Sequence, residues 1–233
     1  MRRCMKMAVV GLVMIILGVV AFGSPATTTG SGPGRFAKWN KECEDRVAAA
    51  KGKCDVIFIG DSITVQWLYP KVGKKVWDKY YSKREALNFG VGGDRTQHVL
   101  WRLENMKVKD LKPKVAVLLI GTNNYSDKAT DIADGVKADI AKIREIFKDV
   151  KVIVVSITPN GRSKKGVMEA ANKTIETFAD GKDVFYLDLA AKMPRVQHGW
   201  KGVGGDGLHL STQGYEMWAE EMEPLMTKFL AAK

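Results

Sequence analysis

Five short apolar runs limit what this chain can fold into. They are Val56-Ile57-Phe58-Ile59, Ala86-Leu87-Asn88-Phe89-Gly90-Val91, Val115-Ala116-Val117-Leu118-Leu119-Ile120, Val152-Ile153-Val154-Val155-Ser156-Ile157 and Val184-Phe185-Tyr186-Leu187-Asp188-Leu189. They do not alternate regularly between apolar and polar, so each reads as a strand covered on both faces. Helical patterns run between them: Arg95 to Glu104, with Val99, Leu100 and Leu103 on one stripe, then Ile132 to Phe147 and Val167 to Phe178. A mixed aromatic segment, Val76 to Tyr81, lies between the first two runs. Another helix, Phe36 to Ala50, precedes them, and a last one, Thr212 to Leu230, closes the chain. Strands separated by helices pair in parallel through right-handed crossovers. The expectation is an α/β protein, a three-layer α/β/α sandwich whose five-stranded parallel sheet has the flavodoxin-like order 2-1-3-4-5. No repeat interrupts the pattern, so one domain is expected over residues 35–233.

The front of the chain reads differently. Met1-Arg2-Arg3-Cys4-Met5-Lys6 is basic, and Ala8 to Phe22 carries no charge. Ala21-Phe22-Gly23 places small residues where a signal peptidase reads, with Ser24-Pro25-Ala26 as a second option. The run is short for a bilayer span, which takes roughly 20 apolar residues. A cleaved signal peptide over residues 1–23 is therefore expected, with a secreted or periplasmic product. An uncleaved anchor is the alternative. Residues 24–34 are a linker by composition, Thr27 to Gly34 being Thr, Gly, Ser and Pro.

The net charge of +11 raises a nucleic-acid reading. Removal of residues 1–23 takes away Arg2, Arg3 and Lys6 and no acid, leaving +8. The remaining Lys and Arg are interleaved with Asp and Glu rather than gathered in a stripe. No nucleic-acid partner is expected. Cys43 and Cys54 would remain after cleavage, either as a disulfide or as two buried small hydrophobes. No His, Cys or Glu spacing suits a metal, and no cofactor is expected.

Candidate chemistry gathers just after the strands, where open α/β sheets bind ligands. Gly60-Asp61-Ser62 follows the first run, Gly92-Gly93-Asp94-Arg95 the second and Gly121-Thr122-Asn123-Asn124 the third. Gly204-Gly205-Asp206-Gly207-Leu208-His209 lies in the long segment after the fifth. Serine attack needs a base, an orienter for that base and an oxyanion hole. There are three histidines. His98 falls inside a predicted helix and reads as structural, and His198 is a weak candidate. His209 follows Asp206 by three positions, close enough for the carboxylate to reach its Nδ1. The Ser62 and Gly93 N–H groups and the Asn123 amide are natural oxyanion donors. Each piece also has a plain reading as a turn or helix cap. Four of them at successive strand ends form one complete set. Trp67, Tyr69 and Trp200 are near these blocks in sequence and could stack on a substrate, or simply pack. Gly90-x-Gly92-x-x-Arg95 is not a dinucleotide fingerprint, because Arg95 replaces the third glycine.

These blocks resemble the GDSL, or SGNH, hydrolases, named for Ser, Gly, Asn and His. The resemblance runs in order from about Cys54 to Tyr215. Leu87-Asn88-Phe89-Gly90-Val91-Gly92-Gly93-Asp94, Val99-Leu100-Trp101-Arg102-Leu103 and Pro113-Lys114-Val115 look like the branch of the platelet-activating-factor acetylhydrolase catalytic subunits and related bacterial esterases. Ile63 stands where the family name has Leu, and Asn124 where many members have Asp. The resemblance implies Ser62 as nucleophile, His209 as base and acid, and Asp206 as its orienter. It implies an oxyanion hole of Ser62, Gly93 and Asn123, an acyl-serine intermediate and no metal. An exported serine esterase is expected, removing short acyl groups, acetyl above all, from a small-molecule or polysaccharide ester. A lysophospholipase or thioesterase, and a non-catalytic carbohydrate-binding protein, are the competing readings.

Overall fold

The computed structural model describes residues 37–231 apart from Lys109. The expected signal peptide and linker lie outside the described residues, as does Phe36 of the expected leading helix.

Five parallel strands form the sheet: β1 (Val56–Gly60), β2 (Ala86–Gly90), β3 (Val115–Leu119), β4 (Lys151–Val155) and β5 (Val184–Leu187). Their order is β2-β1-β3-β4-β5, as the sequence pattern led us to expect. Val56 sits opposite Ala86 on one side and Val115 on the other, and Gly60 opposite Gly90 and Leu119. All residues of β1 and β3 are buried, which explains why their sequences do not alternate.

Successive side chains point to opposite faces, so the sheet has two cores. Ile57 and Ile59 enter one with Cys43 of α1 (Ala37–Ala50), Val99 of α4 (Thr96–Asn105), Val136 of α5 (Ala129–Ile146) and Ala171 of α6 (Val167–Glu176). Val56 and Phe58 enter the other with Ile63 of α2 (Ser62–Val65), Trp77 of α3 (Lys74–Tyr80) and Trp218 of α7 (Thr212–Ala231).

The second core is aromatic, and it claims Trp67. That side chain was expected beside a substrate, but it is 0% exposed. Its ring centroid lies 4.6 Å from Tyr215, 5.1 Å from Trp218 and 5.3 Å from Tyr81. Burying a large apolar ring among three others is favourable well beyond what a rim contact offers. The other expectation settled inside the fold concerns the cysteines. Cys43 and Cys54 are both buried free thiols. Burial pushes the Cys54 thiol up to about 12, which keeps it inert.

Strand ends differ from the sequence reading by a few residues. The fifth run turns early because Asp188 Oδ1 accepts the Ala191 N–H at 3.2 Å, folding Ala190–Lys192 into a 3₁₀ turn. A small antiparallel hairpin, β6 (Arg195–Val196) and β7 (Gly199–Trp200), follows where only loop was expected. His198 lies in its exposed tip.

The chain leaves β1 for β2 on one side of the sheet and returns to β3 on the other. Strand order therefore reverses at β1, and such a reversal opens a crevice at the carboxyl ends of the strands.

Candidate active site

Ser62 stands at this crevice, as the first residue of α2. The turn into α2 is tight because a Cβ on Gly60 would lie 2.2 Å from Leu119 O and 2.2 Å from Thr64 Oγ1. Asp61 caps the helix through an Oδ1 bond from the Ile63 N–H at 2.9 Å, so the cap reading holds for Asp61 while Ser62 is left half-buried and facing the crevice. Two long-range bonds brace the turn. The Tyr215 hydroxyl donates to Ile63 O at 2.6 Å, and the Asn88 amide donates to Thr64 O at 2.7 Å.

His209 approaches from the loop before α7. Its Nε2 lies 3.0 Å from Ser62 Oγ and its Nδ1 lies 2.6 Å from Asp206 Oδ2. Asp206 Oδ1 accepts the N–H groups of Leu208 and His209, both at 3.0 Å, which closes the three-residue turn the spacing suggested. The loop is closed at its base by Gly204 N–H donating to His209 O at 2.7 Å. Partial burial draws the Asp206 carboxyl upward. The hydrogen bonds from His209 and Leu208 outweigh that effect and hold it below the usual carboxylate range. Asp206 is thus an anion facing the imidazole, and an imidazolium formed there is stabilised.

The proposed oxyanion donors follow three neighbouring strands, β1, β2 and β3. Gly93 sits in the turn after β2 with φ +81°, a conformation that suits glycine and few other residues. The Asn123 amide donates to the Asp94 carbonyl at 2.9 Å, which fixes its plane and leaves its second N–H for a ligand. Asn124 is buried and accepts the Thr96 N–H at 3.1 Å, tying the β3 loop to α4.

Sequence reasoning missed the group beneath these donors. Arg102 is 3% exposed, and its Nε donates to Asp94 Oδ2 at 2.8 Å. Burial raises the Asp94 carboxyl to about 6 against the opposing pull of Arg102. Removing one partner of such a buried pair typically costs about 3–5 kcal/mol. The signal was present: Arg102 falls between Val99 and Leu103 on the apolar stripe of α4, where a charge must find a buried partner. His98, by contrast, has the structural role expected, its Nδ1 accepting the Arg95 N–H at 3.1 Å.

One cavity borders the 204–209 loop, and a second lies nearby. The first, of about 410 Å³, is lined by Gln66, Lys71, Asp206, His209, Ser211 and Thr212 among others. Tyr69, 40% exposed, stands on the turn between Gln66 and Lys71. The other, of about 860 Å³, runs between α6 and the β6–β7 hairpin. Ile157, Pro159, Tyr186 and Trp200 line it with Asn160, Asn172, Lys164 and Arg195. The Gly161 N–H donates to Gly207 O at 2.8 Å, so one residue of this cleft's lining is bonded to the His209 loop. The Arg195 guanidinium lies 5.1 Å from the centre of the Trp200 ring. Among the described residues, no group of three or more His, Cys, Asp and Glu side chains is placed to hold a metal ion.

A serine hydroxyl, an imidazole and a carboxylate in line at the head of a doubly wound parallel sheet define a site suited to acyl transfer. A model of the GDSL-like lipase/acylhydrolase family matches residues 58–217. The human platelet-activating factor acetylhydrolase IB subunit alpha1 is 34% identical over 194 residues, covering 79% of this chain and 81% of that subunit. The human alpha2 subunit is 39% identical over 120 residues, covering 52% of this chain and 48% of that subunit. Among solved structures, the lipase/acylhydrolase from Enterococcus faecalis matches with a TM-score of 0.59 at 20% identity, over 75% of this chain and 96% of that one. A carbohydrate esterase family 3 structure from Talaromyces cellulolyticus matches with a TM-score of 0.55 at 19% identity, over 76% of this chain and 98% of that one. The chain belongs to the GDSL-like lipase/acylhydrolase family and is a hydrolase acting on esters.

Proposed function

We propose that this protein is an exported esterase that removes acetyl and similarly short acyl groups from carbohydrate esters. The observation that carries its chemistry is the unbroken line from Asp206 through His209 to Ser62. His209 Nε2 takes the Ser62 proton as Oγ attacks the ester carbonyl. The carbonyl oxygen gains the negative charge and receives the N–H groups of Ser62 and Gly93 and the free N–H of Asn123. His209 returns the proton to the departing alcohol, leaving an acyl-serine. Water, deprotonated by the same imidazole, then releases the acid and restores Ser62.

Three observations support the substrate part of this reading. The space beside His209 is about 410 Å³ and has polar groups such as Gln66, Ser211 and Thr212 in its lining, which suits a short, polar ester better than a long chain. The larger cleft combines the flat rings of Trp200 and Tyr186 with the amides of Asn160 and Asn172, a lining that suits a sugar leaving group. The platelet-activating factor relatives are by name acetylhydrolases, and one fold neighbour is by name a carbohydrate esterase. The basic, apolar amino terminus supports export.

A series of p-nitrophenyl esters from acetyl to palmitoyl, run beside acetylated xylo-oligosaccharides, tests the reading. The highest kcat/KM is expected at acetyl, with acetate released from the oligosaccharide. A rate that rises with chain length replaces it with a lipid esterase. Absence of labelling by a fluorophosphonate probe replaces it with a binding protein.

A further inference from the structure

We propose that Arg102 is a positioning residue that clamps together the three loops carrying the oxyanion donors. The inference rests on the assignment of Ser62, Gly93 and Asn123 above and extends it to a residue that does not reach the crevice.

The geometry is specific. The guanidinium of Arg102 projects from α4 under the ends of β1 and β2. Its Nη2 donates to Phe89 O at 3.0 Å, and makes a longer contact to Gly60 O at 3.5 Å. Gly60 is two residues before Ser62. Nε and Nη2 both reach Asp94 Oδ2, at 2.8 Å and 2.7 Å. Asp94 is next to Gly93, and its own carbonyl accepts from Asn123. One side chain thus touches the chain beside the first donor and the residue after the second. It reaches the third through a single further bond. A planar fork of fixed donors suits this task, and a lysine ammonium does not reproduce it. A buried ion pair adds little net stability over an apolar replacement, because desolvation offsets most of the attraction.

Oxyanion donors act by being held in place before charge develops, so small displacements reduce rate more than binding. Loss of the clamp therefore lowers kcat and leaves KM close to its starting value. Loss of a purely structural ion pair would lower the melting temperature and leave turnover per folded molecule unchanged.

The test uses the full chain with Arg102→Lys, Asp94→Asn and Asn123→Ala, alone and combined. Asp94→Asn keeps the carbonyl that receives Asn123 and removes only the charge, which gives a second route if Arg102→Lys folds poorly. Fluorophosphonate labelling to completion counts active sites, and p-nitrophenyl acetate gives kcat per site. We expect Arg102→Lys to lower kcat by about 10- to 100-fold with KM within about threefold. Asp94→Asn is expected to act in the same direction by a smaller factor. In the Asn123→Ala background the Arg102→Lys effect should shrink, because both changes damage the same hole. Unchanged kcat per site in both single variants, or fully additive losses, overturns the proposal. Ser62→Ala is measured in parallel. If that variant keeps its turnover, the assignment of the nucleophile fails. If it is inactive while Arg102→Lys and Asp94→Asn are unimpaired, the clamp alone fails.

Discussion

His209 Nε2 lies 3.0 Å from Ser62 Oγ, although 147 residues separate them in the chain. The sheet makes that meeting possible. β1 delivers Ser62 to the crevice, and the last loop before α7 returns His209 to the same edge. The Tyr215 hydroxyl, one turn into α7, holds Ile63 O from below, so the two halves of the pair are tied a second time. Each consequence of that arrangement can be measured.

Asn123→Ala removes one oxyanion donor and its bond to Asp94 O. We expect kcat for p-nitrophenyl acetate to fall by about 10²- to 10³-fold with KM little changed. Circular dichroism should remain native. A near-normal kcat would remove Asn123 from the hole.

Asp206→Asn is the sharper test of the orienter. An Asn Oδ1 still accepts the Leu208 and His209 N–H groups, so the turn survives. The atom facing His209 Nδ1 becomes a donor, and the wrong tautomer is favoured. A fall in kcat of about 10²- to 10⁴-fold is expected without loss of fold. Activity within a few-fold of the parent would show that His209 is oriented by something else.

Trp67 was a substrate candidate in the sequence and is core in the structure. Trp67→Ala should therefore cost about 3–5 kcal/mol in denaturant unfolding. Trp67→Phe should lose stability more mildly and keep KM for p-nitrophenyl acetate within about twofold. A large rise in KM with stability unchanged would return Trp67 to the substrate.

Asp61 gives a pH signature. Burial raises its carboxyl to about 7, against the pull of the Ile63 N–H. An unfolded Asp ionises near 3.8, so between about pH 4 and pH 7 the unfolded chain has released a proton that the folded chain keeps. Rising pH through that window therefore weakens the fold, by at most about 4 kcal/mol from this group. Below it, both states are protonated and Asp61 contributes nothing. Asp61→Asn retains an acceptor for Ile63 and has no proton to lose. Relative to the parent, its melting temperature should rise from pH 4 to pH 7. A constant difference across that range would contradict the shift.

The sequence carried much of this because the strands are buried on both faces. Continuous apolar runs such as Val115 to Ile120 fix element type, and right-handed crossovers leave few orders, of which the common doubly wound order 2-1-3-4-5 is the one found. Ser62, Gly93, Asn123 and His209 could be put forward as candidates because each lies within two residues of a glycine at a strand end or in the last long loop, and the Ser62–His209–Asp206 contacts then came from the structure. The place of Trp67 was not legible, because an aromatic near a site in sequence is ambiguous until its face is known. Arg102 was hidden for a related reason. Its partners Phe89 and Asp94 lie within 13 residues of it, but Gly60 is 42 residues away and is brought to them only by the β1–β2 register. The β6–β7 hairpin has two-residue strands, too short for any periodicity to mark.

The most direct test of the central claim is the rate of p-nitrophenyl acetate hydrolysis by purified Ser62→Ala. The substitution removes only Oγ, so the cap at Asp61 and the bond from Tyr215 to Ile63 O should persist. Turnover at the level of the uncatalysed background, with an unchanged melting profile, is the predicted result. Retained hydrolysis by the folded variant would contradict the account.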